Sequence, residues 1–325
     1  MIEKNSAETT LHYQPDILGE KFEQHIFKFS PDYDGEVIAT LVRRPSDIPS
    51  TKAVLYIHGF IDYFFQQEMA KKFNAQGFHF YAIDLRKYGR SLLPHQKPYF
   101  VKALTEYDED IHAALNTIQS EGNESVLLCG HSTGGLTATY FSIRHPDHPL
   151  IKAIWANSPF YDFNMNVLKK KYALPMIAKL AQQFPLMQLP SELNKFYVKS
   201  LHENLNGEWS FDLKLKPKTY TKVYLSFIGA VVKAQQKIQS GPKISVPLLV
   251  MHSSRTTNPK KYNIDAQTSD VILDVKTIEK YAKALQGQVT VMTINDGLHD
   301  LVLSKKLVRQ QVYDQLFAWL ASKNL

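Results

Sequence analysis

Val126-Leu127-Leu128-Cys129-Gly130-His131-Ser132-Thr133-Gly134-Gly135-Leu136-Thr137-Ala138-Thr139-Tyr140 is the stretch whose reading decides the fold of this chain. Its first four residues form a short apolar run suited to a strand buried on both faces. Gly130, Ser132 and Gly134 then give Gly-x-Ser-x-Gly, and small and apolar residues follow at helical spacing. A strand that turns this sharply into a helix forces Ser132 into a strained backbone conformation with its hydroxyl projecting. The flanking glycines remove the Cβ atoms that would strike the neighbouring strand and helix. The free N–H groups of the helix that starts just past Ser132 favour negative charge at the same spot.

Strands and helices alternate outward from this turn. Glu23–Phe29 and Glu36–Val42 alternate polar and apolar residues around the turn signal Ser30-Pro31-Asp32-Tyr33-Asp34-Gly35, which predicts an antiparallel hairpin. Lys52–Gly59, Phe78–Asp84, Val126–Cys129, Ile151–Ala156, Pro247–Ser253 and Val289–Ile294 are further strands. Helices are expected from about 65 to 76, 104 to 119, past Ser132 to His145-Pro146, 275 to 285 and 305 to 321. Repeated strand–helix–strand units specify a parallel sheet with helices on both faces. Residues 161–240 break the pattern, because they hold amphipathic helical segments and no convincing buried strand. They are expected as a helical cap inserted into a core of residues 22–160 and 241–325, with residues 1–21 as a loosely held N-terminal arm.

The chain has 325 residues, 44% apolar and 21% charged, an ordinary balance for a globular protein. Met1–Glu8 lacks the apolar segment of a secretion signal, and no apolar run approaches a membrane span. Stable membrane insertion is therefore not expected. One cysteine, Cys129, cannot form an internal disulfide and is compatible with a reducing cytoplasm, the compartment expected here. The net charge of +7 arises from basic residues in short groups such as Lys169-Lys170-Lys171, with no arginine-rich or aromatic-interleaved module, which argues against nucleic acid. A mild attraction to anionic substrates or lipid surfaces is compatible with that charge.

A serine hydroxyl is a poor nucleophile at neutral pH, so it needs a base, and the base needs a carboxylate to orient it. Of the 12 histidines, His299 in Asn295-Asp296-Gly297-Leu298-His299-Asp300 lies in the loop after the last strand, at the carboxyl edge of the sheet. The expected acid is Asp270; Asp274 is an alternative, though more naturally an N-cap for the helix at Val275, and Asp265 is a weaker candidate. The backbone N–H groups of Thr133 and of Phe60, in His58-Gly59-Phe60, are the candidate oxyanion donors. His58 is expected to bond loop backbone, and Asp84 and Arg86 to tie down a loop. No metal-ligand spacing, dinucleotide fingerprint or P-loop occurs, so no metal or other cofactor is called for.

Gly130-His131-Ser132-Thr133-Gly134, His58-Gly59-Phe60, Asp84-x-Arg86-x-x-Gly89-x-Ser91 and Gly297-Leu298-His299 together resemble the α/β-hydrolase superfamily across about residues 22–158 and 241–325. Within it the chain is similar to the monoacylglycerol lipase, lysophospholipase and serine aminopeptidase-like group. The resemblance implies a mostly parallel eight-stranded sheet with the cap between strands 6 and 7. It also implies Ser132 as nucleophile, Asp270 as acid, His299 as base, and Phe60 and Thr133 as the oxyanion-hole positions. Ser254–Ser269 is longer than the usual connection to the acid, and the cap matches no motif of the family. The expected activity is hydrolysis of small or lipid-like carboxylic esters through an acyl-enzyme. An aminopeptidase or amidase would use the same triad, and a ligand-binding protein on the fold would not need all three residues. Met176, Ile177, Leu180, Phe184, Leu186 and Met187 are candidates to line an acyl pocket or to pack in the cap core. Association of the chain with itself stays open.

Overall fold

Residues 12–166, 168–191, 193–219 and 222–325 are described in the computed structural model; residues 1–11 of the expected arm lie outside them. The first strand, β1 (Gln14–Pro15), is followed by the hairpin β2 (Glu23–Asp32) and β3 (Gly35–Arg44), closed by Gly35 at φ +100°. The core continues through β4 (Lys52–Ile57), α1 (Gln67–Ala75), β5 (Phe78–Asp84), α2 (Tyr107–Ser120), β6 (Ser125–His131), α3 (Thr133–Arg144) and β7 (Ile151–Asn157).

The next segment contains α4 (Leu174–Gln183), β8 (Gln188–Pro190), α5 (Phe196–Leu201), β9 (Lys222–Tyr224) and α6 (Leu225–Gln239). The chain then returns through β10 (Leu248–Ser253), α7 (Val275–Ala284), β11 (Val289–Ile294) and α8 (Lys306–Ser322).

The sheet runs β1-β2-β3-β5-β4-β6-β7-β10-β11, antiparallel from β1 to β5 and parallel from there on. It has nine strands where eight were expected. The ninth is β1, two residues long and so without any readable alternation, which pairs Gln14 with Gln24 and Pro15 with Glu23. This corrects the loose arm for its described part. Asp16 is buried and paired with Arg90 at 2.8 Å, and the Arg43 guanidinium sits 3.3 Å above the Tyr13 ring. An ion pair and a cation–π contact thus hold a segment with too little apolar surface to announce itself.

The parallel strands β4, β5, β6, β7 and β10 are largely buried on both faces, as their apolar runs require, whereas the edge strand β11 is mostly half-buried. On one face Ile111, Leu115 and Ile118 of α2, Phe141 of α3 and Ile278 of α7 pack with Leu55, Leu128 and Val250. On the other, Phe73 of α1 and Tyr313, Leu316 and Trp319 of α8 pack with Phe80, Cys129 and Met251. Between β7 and β10, α4 lies against α6 so closely that a Cβ on Gly229 would come within 2.8 Å of the Ala181 Cβ. Phe227, Ala230, Val231 and Ala234 of α6 join the apolar core of the sheet domain. The small antiparallel sheet β8–β9 had no sequence signal, because three-residue exposed strands show no periodicity.

Candidate active site

The sharp turn at Ser132 is built from two close approaches. A Cβ on Gly130 would lie 2.2 Å from the Gly134 carbonyl oxygen, and one on Gly134 would lie 2.2 Å from that of Ile57 in β4. Only glycine lets β6 and α3 meet at this distance. Ser132 itself has φ +53° and ψ −115°, a conformation side-chain-bearing residues rarely adopt. Its N–H donates to the Asn157 carbonyl at 3.0 Å, and its own carbonyl accepts from Leu136 and Phe160 at 3.0 and 2.9 Å. Strain at Ser132 is thus held by bonds to β7, to α3 and to Phe160 just beyond β7.

The Ser132 Oγ lies 2.9 Å from His299 Nε2, and His299 Nδ1 lies 2.8 Å from Asp270 Oδ2. The tautomer that satisfies both contacts has Nδ1–H donating to the carboxylate and Nε2 accepting from the hydroxyl. Asp270 is fully buried, and its other oxygen accepts the N–H groups of Ile272 and Leu273, each at 2.8 Å. The long connection Ser254–Ser269 places this residue rather than displacing it. Asp270 N–H donates to the Arg255 carbonyl and Thr257 N–H to the Asp270 carbonyl, both at 3.0 Å. Arg255 also binds Asp265 and Thr268. Asp265 is therefore spent on a surface ion pair. Asp274 caps α7 by accepting the Lys276 N–H at 3.1 Å.

Phe60 follows β4 beyond its last paired residue and lines the cavity at Ser132, with its ring stacked on Phe227 of α6 at 4.5 Å. Thr133 is the first residue of α3, so its N–H precedes the helical ladder. His58 is buried and ties two loops together: Nδ1–H donates to the Gly59 carbonyl at 2.8 Å and Leu85 N–H donates to Nε2 at 3.1 Å. Burial lowers its pKa, which suits a neutral structural imidazole. Asp84 accepts from Phe64 N–H and pairs with Arg90, whereas Arg86 pairs with Asp110 and Glu109. Neither Asp84 nor Arg86 lines the cavity.

The cavity holds further polar groups that carried no sequence signal. Asp62 and Lys216 line it, both buried and paired at 2.5 Å. Asp62 Oδ1 also accepts the Tyr63 N–H at 2.9 Å, so both its oxygens are engaged. The Lys216 ammonium sits over Phe65, Tyr197 and Phe211 at 5.3–5.9 Å. His131, inside the glycine–serine turn, packs its ring 4.8 Å from that of His299, and burial pushes its pKa well down. Asp300, next to His299, accepts from Asn157 and Gln66, and burial raises its pKa.

Leu193, Tyr197 and Ile272 complete the walls of this half-open cavity. The six apolar residues proposed for an acyl pocket do not line this cavity, and Met176, Phe184, Leu186 and Met187 are more than half exposed. Helical spacing alone did not reveal that these four side chains face outward. No group of three or more metal-ligating side chains occurs among the described residues.

The family described as "Serine aminopeptidase, S33" matches residues 49–305. An AB hydrolase superfamily protein of Bacillus subtilis is 24% identical over 222 residues, 64% of this chain and 76% of its own. Among solved structures, the monoacylglycerol lipase of Paleococcus ferrophilus superposes with a TM-score of 0.66 at 18% identity, covering 87% of this chain and 99% of its own. A soluble variant of monoglyceride lipase from Saccharomyces cerevisiae gives 0.67 at 15% identity, covering 96% of this chain and 94% of its own.

Proposed function

The chain belongs to the serine aminopeptidase S33 family of α/β-hydrolases, and from that premise we propose that it is a serine hydrolase that cleaves carboxylic esters through an acyl-enzyme. The observation that carries this reading is the relay of Asp270, His299 and Ser132, with contacts of 2.8 and 2.9 Å in a buried site. Ser132 Oγ attacks the acyl carbonyl while His299 Nε2 takes its proton. The N–H groups of Phe60 and Thr133 hold the resulting oxyanion. His299 returns the proton to the departing alcohol, then takes one from the water that attacks the acyl-enzyme. Collapse of that second intermediate frees the acid and restores the Ser132 hydroxyl. Asp270 keeps the imidazole in its working tautomer and favours the imidazolium that forms in each half-reaction. The segment 161–240 acts as a cap that supplies Tyr197 and Lys216 to the site.

Ester cleavage is favoured over aminopeptidase action by the state of Asp62. An aminopeptidase needs an available carboxylate for the substrate ammonium. The two oxygens of Asp62 are already taken by Lys216 and the Tyr63 N–H. A fluorophosphonate probe tests the nucleophile: wild type labels and Ser132→Ala does not. A panel of p-nitrophenyl esters and aminoacyl anilides tests the bond, with turnover expected on the esters. Anilide turnover exceeding ester turnover would move the assignment to the peptidase class.

A further inference from the structure

Residues 161–240 contain 12 lysines, no arginine and five acidic residues, a net charge of +7, while the remaining residues carry 26 basic and 26 acidic side chains and are neutral. The basic residues look scattered when read as runs, yet the whole excess charge of the chain sits on this one segment. A second, independent asymmetry coincides with it. Of the twelve large apolar side chains that stand exposed among the described residues, six lie within 168–187: Leu168, Tyr172, Met176, Phe184, Leu186 and Met187, each 51–69% exposed.

The geometry of α4 brings the apolar residues and part of that charge to one surface. Leu174 and Ala181 are its buried positions, and Ala181 faces Gly229 of α6. Tyr172, Met176 and Lys179 follow one another at helical spacing on the exposed side, and the chain beyond the helix brings Phe184, Leu186 and Met187. Lys170 pairs with Asp162, but Lys171 and Lys179 form no ion pair among the described residues. Exposed apolar side chains of this number are costly in water and mark a surface that is covered in use. Their interleaving with unpaired lysines fits the headgroup and upper acyl region of an anionic bilayer, where apolar tips enter and ammonium groups meet lipid phosphates. No helix among the described residues is long and apolar enough to cross a membrane, so the contact is peripheral.

We propose that the outer face of the cap, from Leu168 through Met187, docks the protein reversibly onto anionic lipid surfaces. This does not depend on which bond the site cleaves, and binding is read without a substrate. Full-length protein is sedimented with vesicles of phosphatidylcholine alone and of equal parts phosphatidylcholine and phosphatidylglycerol. The wild type is expected to partition roughly tenfold or more in favour of the anionic vesicles. Raising salt to about 1 M, where the Debye length is about 3 Å, should release it.

The double variants Lys171→Glu/Lys179→Glu and Met176→Ser/Phe184→Ser each lower anionic partitioning roughly tenfold. Both retain the thermal unfolding midpoint of the wild type, since the altered side chains are exposed. The proposal is overturned by any of four results: equal binding to both vesicles, no binding to either, variants that bind like wild type, or a self-association abolished by Met176→Ser/Phe184→Ser. The last would assign the face to a second copy of the chain.

Discussion

The imidazole of His299 lies 2.9 Å from the hydroxyl of Ser132 although 167 positions of sequence separate them. The contact exists because β6 and β11 both end at the same rim of the sheet, one leading into the turn at Ser132 and the other into the loop carrying His299. Asp270 arrives from the loop after β10 and donates no proton of its own; it fixes the imidazole through Nδ1. Asp270→Asn should therefore lower kcat about 10,000-fold, the cost of the wrong imidazole tautomer. Asp274→Ala should leave kcat unchanged and lower stability by about 1 kcal/mol through the lost helix cap. Steady-state ester hydrolysis and urea denaturation of the two variants separate these outcomes, and the reverse pattern would transfer the role to Asp274.

Asp62 and Lys216 are 154 positions apart and pair inside the cavity, joining the loop after β4 to the stretch between α5 and β9. Removing one partner strands a buried charge, so Asp62→Leu alone should cost about 3–5 kcal/mol, whereas Asp62→Leu/Lys216→Met should come out roughly neutral. The pair bridges two walls of the cavity at Ser132, so it restrains how far those walls can part for a bulky acyl group. The paired replacement, which removes the ionic tie, is expected to raise kcat/KM for an octanoyl ester relative to an acetyl ester. An unchanged ratio would mean that the tie does not limit access.

What the sequence made legible follows from how local each signal is. The elbow is written in five adjacent residues, and its glycines are dictated by backbone contacts within β4, β6 and α3. His299 was readable by position after the last strand. Asp270 was distinguishable from Asp274 because a residue directly before a helix already has a capping role. The pair of Asp62 and Lys216 was not legible. Lys216 lies in an irregular stretch between α5 and β9, where no periodicity assigns a direction to a side chain, and its partner sits on the far side of the insertion. The exposed face of α4 was missed for a related reason: apolar spacing predicts a face but does not say that the face lacks a neighbour.

His58 and His131 are buried with lowered pKa values, desolvation being the first cause for each. Below about pH 6.5 the unfolded chain takes up a proton at each histidine more readily than the folded chain does, so stability falls as the pH drops beneath that value. His131→Leu removes one of these sites. Below pH 6.5 the stability of the variant relative to wild type should improve by about 1.4 kcal/mol for each unit of acidification, and above pH 7.5 the difference should be flat. Urea denaturation across pH 5 to 8 checks this; parallel curves would show that His131 takes up a proton in the folded state.

Ser132 holds φ +53° at the junction of β6 and α3, a conformation whose strain of about 1–3 kcal/mol in a residue with a Cβ is offset by the bonds to Asn157, Leu136 and Phe160. Two inactive variants distinguish strain from chemistry. Ser132→Ala removes the hydroxyl and keeps the Cβ, so it should unfold at a denaturant concentration close to wild type. Ser132→Gly removes both, relaxes the turn and should be more stable than Ser132→Ala by about 1 kcal/mol, because the relief of strain exceeds the entropy that glycine gains on unfolding. The nucleophile would then be a position where the fold is less stable than it can be, and the deficit would equal what it costs to present that oxygen to His299. Equal stability of the two variants would locate the strain in the neighbouring glycines, where close packing between β4 and α3 leaves it no release.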